Sequence, residues 1–246
     1  MNLKNEFWEN KLPIGFYDDL YTSGQDKKTG LQSNWHHISF LKIKKYIKNT
    51  DYHLDYACGP GTFIGNYLDC TSIGYDIAEN QITYANNKYS SERKIFTSDK
   101  NMLSKDKPFD IITVMGLIEV LTEEEFESEL NLLLSILKPE GKIVFVTPNY
   151  GGAMYFLEKI SNVFNSVNYK EVKTSYYSRK KINYLMNNNL KDFDINFETK
   201  CILNFGILLS IFSKKYAIKL ENKIENLFSN FFGFLLVLEI TNTIKK

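Results

Sequence analysis

The chain has 246 residues, of which 43% are hydrophobic, 15% aromatic and 24% charged, and its formal net charge is +1. This composition excludes a disordered chain and supplies apolar residues for one large α/β domain or two small ones. Three cysteines, none of them in a C-x-x-C pair, and three histidines do not supply a disulfide framework or a metal-ligand cluster. We therefore expect no metal.

Charge is distributed unevenly along the chain. Residues 1–50 carry eight lysines and five acidic residues, residues 51–150 carry eight basic and 16 acidic residues, and residues 151–246 carry 14 basic and eight acidic residues. The acidic middle and the presence of only two arginines argue against nucleic acid as a partner. The basic flanks indicate a solvated, lysine-rich exterior, with contact to an anionic membrane surface as the alternative.

No targeting or membrane-spanning segment is expected. The first residues, MNLKNEFWENK, lack the apolar core of a signal peptide. No run reaches the roughly 18 to 20 apolar residues that span a bilayer, and the nearest one, 231–240, contains Gly233 and Glu239. These features predict a cytoplasmic protein without a transmembrane helix.

The first two thirds of the chain show an alternation of helices and strands. Residues 1–50 are predicted to form a helical lead-in, with an apolar stripe over Asn34–Tyr46. The predicted strands that follow are His53–Ala57, Ser72–Tyr75, Lys94–Thr97, Asp110–Met115 and Lys142–Thr147. One helix is predicted to run through Phe63, Ile64 and Tyr67, a second to span Ala78–Tyr89 and a third to begin at Thr122. Such alternation implies a parallel sheet with helices on both faces.

The acidic helix after the fourth strand has recognisable ends. Thr122 and Glu125 form a capping box, and the acidic residues from Glu123 to Glu129 suit the positive end of the helix dipole. The run Lys138-Pro139-Glu140-Gly141 is predicted to end this helix. The acidic residues are therefore interpreted as a cap and a solvated face, not as paired catalytic carboxylates.

Beyond Pro148 the alternation weakens. The predicted helices are 153–164, Arg179–Met186 and Gly206–Phe228, and the predicted strands are Asp192–Glu198 and Phe234–Ile240. The helix over 206–228 is amphipathic and basic, which fits a core-packed helix, a dimer face or a membrane-surface helix. We expect this last third to build a substrate wall, with Tyr176 and Tyr177 exposed and an apolar stretch from Cys201 to Phe212.

The strongest functional signal is the run LDYACGPGT over 54–62, in which a strand leads through two glycines into a helix. Glycine lets the backbone turn sharply and lets a ligand approach the main chain, and the helix start offers unpaired N–H groups. The run is not a P-loop, and Ile64 replaces the third glycine of a nicotinamide-binding G-x-G-x-x-G sequence. A tight βα turn without a ligand is the structural alternative.

The spacing Asp55-x-x-Cys58-Gly59-x-Gly61 resembles the first motif of class I S-adenosylmethionine-dependent methyltransferases, and the resemblance covers about residues 50–150 and, more weakly, both flanks. It implies an α/β, Rossmann-like fold with a seven-stranded, mostly parallel sheet and an antiparallel last strand. Residues 1–246 would form one domain, in which 1–50 cover the active site, 51–150 bind the cofactor and 151–246 form the substrate wall. The implied cofactor is S-adenosylmethionine, and the residues that would bind it at the first turn are Asp55, Ala57, Cys58, Gly59 and Gly61.

The resemblance also implies roles for residues after the next three strands. Asp76 ends the second strand, where the family's acidic residue accepts the ribose hydroxyls, and Ile77 would pack on the adenine face. Asp99, after the third strand, matches the acidic residue near the adenine amino group. Met115-Gly116, after the fourth strand, would border the sulfonium and the methionine moiety. For Asp76 and Asp99 the alternative is an aspartate at a strand end or a turn.

Catalytic residues are not identified by the resemblance. Many small-molecule members carry Glu-His after the fourth strand, whereas this chain has Glu119-Val120. Glu119 is therefore a candidate catalytic residue, and a structural role at a helix start is the alternative. His36 and His37 are candidates in the lead-in, and they cannot share one task because consecutive helix residues point about 100° apart. The remaining candidates, which nothing in the sequence ranks, are Tyr17, Tyr21 and Tyr150.

These observations predict a methyltransferase that acts on a small metabolite, a glycan precursor or a lipid-like acceptor, with O-methylation favoured. Two alternatives stay open at this point. One is an inactive homologue that binds the cofactor without turnover, and the other is a nicotinamide-dependent oxidoreductase.

Overall fold

The computed structural model of the chain describes residues 6–27, 30–104, 107–151, 154, 175–188, 194–228 and 233–243. The helix predicted over 153–164 lies, apart from position 154, outside these described residues.

Seven strands form one mixed sheet. In chain order they are β1 (Tyr52–Tyr56), β2 (Thr71–Tyr75), β3 (Lys94–Thr97), β4 (Phe109–Met115), β5 (Leu137–Pro148), β6 (Ile195–Ile202) and β7 (Leu235–Asn242). The spatial order is β3-β2-β1-β4-β5-β7-β6, with parallel pairing from β3 to β5 and antiparallel pairing of β7 with both of its neighbours. This confirms the predicted seven-stranded, mostly parallel sheet with an antiparallel last strand.

Helices cover both faces of the sheet. They are α1 (Phe16–Lys27), α2 (Leu31–Lys44), α3 (Thr62–Tyr67), α4 (Glu79–Tyr89), α5 (Glu123–Ser135), α6 (Arg179–Asn188) and α7 (Lys214–Phe228). Shorter helical turns span Phe7–Lys11, Lys100–Ser104, Ile118–Val120 and Phe205–Ile211. The predicted capping box is confirmed, because Thr122 Oγ1 accepts from Glu125 N at 3.2 Å while Glu125 Oε2 accepts from Thr122 N at 2.8 Å. None of the helices in the described ranges is long and apolar enough to cross a bilayer.

Two apolar layers lie against the sheet. One layer packs α5 and α6 on the central strands, and its largest members include Phe126 and Tyr177. The other packs α2, α3 and α4 on the opposite face through residues such as Ile38, Phe63 and Ile82. The expectation that Tyr177 is exposed is wrong, since its side chain is wholly buried beside Phe126, with ring centroids 6.4 Å apart. Tyr176 is exposed as expected.

The predicted single helix over 206–228 is wrong in its first part. Phe205–Ile211 forms a 3-10 turn, and α7 begins only at Lys214. The physical reason is Glu221, a buried residue of α7 whose carboxylate accepts hydrogen bonds from Asn204 N and Ile207 N, both at 2.8 Å. These two bonds fold the first segment back across α7 and prevent a continuous helix.

Two strands differ in extent from the prediction. The run Lys138–Gly141 does not end the helix but belongs to β5, which begins at Leu137. Glu140 there has a φ of 60°, and the β4–β5 register shifts between Phe109 and Ile111, as in a bulge. Of the strand predicted over Asp192–Glu198, positions 192 and 193 lie outside the described residues. The observed strand is Ile195–Ile202, and its pairing with β7, which joins Ile202 to Leu235, carries it beyond Glu198.

Candidate cofactor site

The residues selected from the sequence meet at one edge of the sheet. Strands β1 to β5 are parallel, so their carboxyl ends share this edge, and the strand order reverses there between β1 and β4. In open α/β sheets, ligands bind in the crevice at such a reversal. The residues at or just beyond these strand ends are Asp55, Ala57, Cys58, Gly59, Gly61, Asp76, Ile77, Asp99, Met115 and Gly116.

The turn after β1 combines one glycine that packing requires with one that faces open space. The backbone is left-handed at three positions, with φ of 65°, 53° and 75° at Ala57, Gly59 and Gly61. A Cβ atom on Gly61 would lie 2.6 Å from Phe96 Cε1, so no larger residue fits. A Cβ atom on Gly59 would meet nothing within 4 Å. The main chain at Gly59 is therefore open to close approach by a ligand.

The carboxylate of Asp76 is oriented by backbone N–H groups. Gly59 N donates to its Oδ2 at 2.7 Å, and Ala78 N donates to its Oδ1 at 2.9 Å. Burial raises the pKa of Asp76, and these two hydrogen bonds oppose the rise. Because the side chain is half-buried and a carboxylate accepts about four hydrogen bonds, Asp76 can still accept from a ligand hydroxyl.

The other strand-end residues border the same crevice with different surfaces. Ile77 is half exposed beside Asp76 and offers an apolar face. Asp99 is exposed, and its Oδ1 accepts from Asn101 N at 3.0 Å at the start of a short helical turn. Met115 is half-buried, and Gly116, with a φ of 76°, donates from its N to Val146 O at 2.9 Å.

Asp55 is buried at the end of β1 and belongs to a hydrogen-bond chain that crosses three strands. Thr113, its register partner on β4, donates from Oγ1 to Asp55 Oδ1 at 2.7 Å. His53 Nε2 lies 2.8 Å from the same Thr113 oxygen, and His53 Nδ1 lies 3.2 Å from Oγ of Ser72 on β2. If Thr113 gives its proton to the carboxylate, His53 carries its proton on Nε2 and accepts from Ser72 on Nδ1.

Burial sets the protonation of both ends of this chain. Desolvation raises the pKa of Asp55 to about 7, and the hydrogen bond from Thr113 opposes the rise, while the nearby charge of Asp76 adds to it. Desolvation lowers the pKa of His53 to about 3, so this imidazole is neutral at pH 7. A carboxyl group with a pKa near neutrality responds strongly to any charge placed beside it.

The second oxygen of Asp55 indicates which kind of ligand group would fit beside it. Asp55 Oδ2 is buried and has no hydrogen-bond partner among the residues that the structure describes. A buried carboxylate oxygen without a donor is costly, so a donor or cation from a ligand would stabilise it. The residues thus fit a ligand with a cationic or N–H-rich end near Asp55 and hydroxyl groups near Asp76.

An N-terminal strap, residues 7–17, crosses this edge of the sheet. Asn80 Nδ2 at the start of α4 donates to Glu9 O at 2.5 Å, and Gln81 both accepts from Gly15 N at 3.0 Å and donates to Pro13 O at 3.2 Å. At its other side, Phe7 and Leu12 pack against Val120 just beyond β4. The strap therefore spans from the segment after β2 to the segment after β4, over the crevice.

Asp18 anchors the strap to the helices beside the glycine turn. Its side chain is completely buried and forms an ion pair with Lys88. Thr62 Oγ1 and Tyr89 hydroxyl donate to its Oδ1 at 2.8 and 2.6 Å, and the Tyr84 hydroxyl donates to its Oδ2 at 2.9 Å. Burial alone would raise the pKa of Asp18, but the hydrogen bonds from Lys88 and these hydroxyl groups have a larger combined effect, so the pKa of Asp18 lies below its ordinary value.

The two histidine candidates face different neighbours. The His36 ring lies 5.9 Å from that of Tyr17, the last residue of the strap, and burial lowers the pKa of His36 to about 4. His37 Nδ1 lies 2.5 Å from the Tyr67 hydroxyl, and burial, together with the charge of Lys214, lowers the pKa of His37 to about 4. Both imidazoles are neutral at pH 7, and His36 lies against the strap that crosses the crevice.

Glu119 lies at the crevice, beside Gly116. Its Oε2 accepts from Thr147 Oγ1 at 2.9 Å, and a Cβ atom on Gly116 would lie 3.7 Å from its Oε1. Of the other tyrosine candidates, Tyr21 accepts from the Tyr67 hydroxyl at 2.9 Å, and the Tyr150 ring lies 4.8 Å from that of Tyr176, centroid to centroid.

One part of the site was not predicted from the sequence, and another was predicted only in outline. His53 and Thr113 were interpreted only as members of apolar strands, although two polar residues within buried strands are a signal that they are hydrogen-bonded. The resemblance implies that residues 1–50 cover the active site, but the contacts of the strap could not be predicted, because they join residues more than 60 positions apart.

Comparisons with known proteins agree with this geometry. A family model described as a methyltransferase domain matches residues 32–189. No sequence among curated proteins matches the chain. The chain is similar in structure to the plantazolicin methyltransferase BpumL in complex with SAH, with a TM-score of 0.60 and 18% identity over 98% of this chain and 95% of that one.

Two further solved structures show how broadly this fold is used. Magnesium protoporphyrin IX methyltransferase (ChlM) from Synechocystis PCC 6803 with bound SAH has a TM-score of 0.53 and 11% identity, covering 97% of this chain and 93% of that one. The small RNA methyltransferase HEN1 has a TM-score of 0.58 and 16% identity, covering 85% of this chain but 25% of that one. Structural neighbours therefore act on very different acceptors.

Proposed function

Because the chain belongs to the methyltransferase domain family, we propose that it transfers a methyl group from S-adenosylmethionine to an oxygen atom of a small organic acceptor. The observation that carries the cofactor assignment is the unpartnered, buried Oδ2 of Asp55 beside the open main chain of Gly59. When bound, the cofactor supplies an electrophilic methyl group on a positively charged sulfonium. SAH in the solved neighbours BpumL and ChlM supports this assignment.

Each residue at the crevice has a distinct proposed task toward this cofactor. The carboxylate of Asp55 would accept from the ammonium group of the methionine moiety, and Asp76 would accept from the ribose hydroxyls. Ile77 would cover one face of the adenine, and Asp99 would accept from its amino group. Met115-Gly116 and the turn Ala57-Cys58-Gly59-x-Gly61 would line the remaining cofactor surface.

The chain's main contribution to catalysis is positioning. Holding an acceptor oxygen in line with the methyl group can supply roughly 7–11 kcal/mol of the barrier. An acceptor hydroxyl must also lose a proton, and Glu119, beside Gly116 at the crevice, is the candidate group to accept it. His36 is neutral at pH 7, but with a pKa of about 4 it is a weak base. The strap would exclude water from the bound reactants.

The acceptor class is proposed from charge. Residues 51–150, which form the crevice, carry 16 acidic and eight basic residues, and the chain has two arginines. Phosphate contacts dominate nucleic-acid affinity, and this surface disfavours them. We therefore propose a small metabolite, glycan precursor or lipid-like acceptor, within a single domain formed by residues 1–246 in the cytoplasm.

Two measurements test the proposal. Thermal unfolding with SAH and with NADH should show stabilisation by SAH alone, of about 2.7 kcal/mol at 100 times the dissociation constant. Stabilisation by NADH alone would instead indicate an oxidoreductase. Incubation with tritium-labelled cofactor and either total RNA, DNA or a small-molecule extract should place the label in the extract. SAH binding with no label in any fraction would indicate an inactive homologue.

A further inference from the structure

An apolar ridge projects from the protein between β6 and the first turn of α7. The described residues include ten large hydrophobic side chains that are exposed, and five of these lie within residues 205–216. They are Phe205, Leu209, Ile211, Phe212 and Tyr216, of which Phe212 is 81% exposed. Soluble proteins rarely concentrate exposed apolar groups in this way unless the surface binds something. We name residues 205–216 the apolar ridge.

Lysines extend this ridge along α7. Lys215, Lys219 and Lys223 are exposed and spaced four residues apart, so they lie on one face of the helix, next to Tyr216. The single acidic residue of 205–224 is Glu221, which is buried and engaged with the backbone of the ridge. Over residues 205–224, the exposed side chains therefore combine apolar groups with positive charge and include no acidic group.

The ridge is held outward by specific contacts. Glu221 fixes its first turn through Asn204 N and Ile207 N, and a Cβ atom on Gly206 would lie 2.8 Å from Glu221 Oε1. Phe205 packs edge-on against Phe234, with ring centroids 5.3 Å apart. The exposure of the ridge is thus part of the folded structure, because its anchoring residues are buried while its apolar side chains are not.

We infer that the apolar ridge and the lysine face of α7 form a surface that docks on an anionic lipid bilayer. Aliphatic and aromatic groups insert at the boundary between headgroups and acyl chains, while lysines reach the anionic headgroups. The lysines supply point charges that attract anionic headgroups, without the planar guanidinium fork that favours base-specific recognition of nucleic acid. This surface goes beyond the proposed function and does not depend on it.

Topology determines which part of the protein would face the lipid. β6 runs antiparallel to β7, which runs antiparallel to β5, so β6 ends at the same edge as the cofactor crevice. The ridge follows β6 directly. Docking would therefore bring the carboxyl edge of the sheet, where the crevice lies, toward the bilayer surface.

Vesicle binding by the full-length protein tests the inference. Wild type should sediment with vesicles of phosphatidylcholine that contain phosphatidylglycerol at low salt, and less so at high salt. Phe212→Ser should weaken binding about tenfold or more, since a Phe side chain that leaves water for the bilayer contributes at least that much to the affinity. The triple variant K215Q/K219Q/K223Q should weaken it about a hundredfold, because each lysine near an anionic surface contributes about fivefold.

Controls separate this inference from misfolding and from the proposed function. Tyr184→Ser, at an exposed aromatic residue of α6, should leave vesicle binding unchanged. SAH affinity, measured on every variant, should equal that of wild type, and a wild type that fails to bind SAH would contradict only the proposed function. The inference is overturned if wild type does not bind the vesicles that contain phosphatidylglycerol, or if it binds vesicles of pure phosphatidylcholine equally well. It is also overturned if Phe212→Ser converts a wild-type dimer to monomers, which would assign the ridge to a second copy of the chain.

Discussion

The Thr113→Val substitution tests whether the hydrogen-bond chain controls the charge of Asp55. Valine has nearly the shape of threonine but cannot donate to Asp55 Oδ1, and it leaves His53 Nε2 without an acceptor. A hydrogen bond to a charged group contributes about 1.5–3 kcal/mol. Because 1.36 kcal/mol corresponds to one pKa unit, its loss should raise the pKa of Asp55 by about 1–2 units above its value of about 7.

Cofactor affinity reports this pKa, since the ammonium of the ligand requires an ionised Asp55. For wild type, whose Asp55 has a pKa of about 7, SAH affinity should fall about fivefold between pH 7 and pH 6. In Thr113→Val the decline should begin at higher pH, so that at pH 7.5 affinity is about 3- to 25-fold lower than in wild type. Above pH 9.5 this difference should shrink.

Isothermal calorimetry at a series of pH values gives SAH affinity as a function of pH, and the midpoint of this curve is compared between wild type and each variant. Thr113→Ser keeps the hydroxyl and is the matched control, and its midpoint should equal that of wild type. A Thr113→Val protein that loses affinity by the same factor at every pH would refute the reasoning, because Thr113 would then act through packing alone. Wild-type affinity that does not change from pH 5.5 to 8.5 would refute the role of Asp55 itself.

The same pKa predicts how the ligand-free protein responds to pH. The folded-state pKa of Asp55, about 7, lies above the value near 3.8 of an ordinary aspartate. The folded protein therefore holds this proton more tightly than the unfolded chain. The stability that results is fully present below about pH 4 and is lost as pH rises to about 7, by on the order of 4 kcal/mol. Asp55→Asn should remove this dependence. In urea unfolding, the free energy of unfolding of the variant should therefore rise relative to that of wild type between about pH 4 and pH 8.

Three further predictions concern the turn, the ribose site and the strap. Asp76→Ala should weaken SAH binding at least tenfold in calorimetry while the protein stays folded, and unchanged affinity would remove Asp76 from the site. Gly59→Ala should lower stability by only about 1–2 kcal/mol, because its Cβ meets open space, but should reduce SAH affinity strongly. Gly61→Ala should cost more stability by clashing with Phe96, and equal urea midpoints for the two glycine variants would contradict this assignment. Asp18→Asn should destabilise the protein by about 1–3 kcal/mol at pH 7. The difference in stability should narrow as pH falls below about 4, because the pKa of Asp18 is lowered in the folded state. A difference in stability that is constant with pH would show that the charge of Asp18 plays no part.

Short-range patterns in the sequence were sufficient for the order of elements and for much of the crevice. The strand, glycine turn and helix over 54–62 follow one another directly, so their chemistry is local and can be inferred from residue types. Asp76 was predictable in the same way, because a residue that ends a parallel strand must lie at its carboxyl edge. The capping box of Thr122 and Glu125 depends on residues three positions apart and was equally accessible.

Other features depended on how distant strands and helices meet. Thr113 reaches Asp55 only because β1 and β4 pair in one particular register, and a shift by one residue would place its hydroxyl on the other face of the sheet. The strap and the apolar ridge are fixed by side chains far along the chain, Gln81 for the first and Glu221 for the second. Sequence periodicity determined which segments become helices and strands, because it reflects one buried face of each element. Only the tertiary structure decided which polar groups meet inside the fold, because those contacts are set by packing between elements that the sequence leaves far apart.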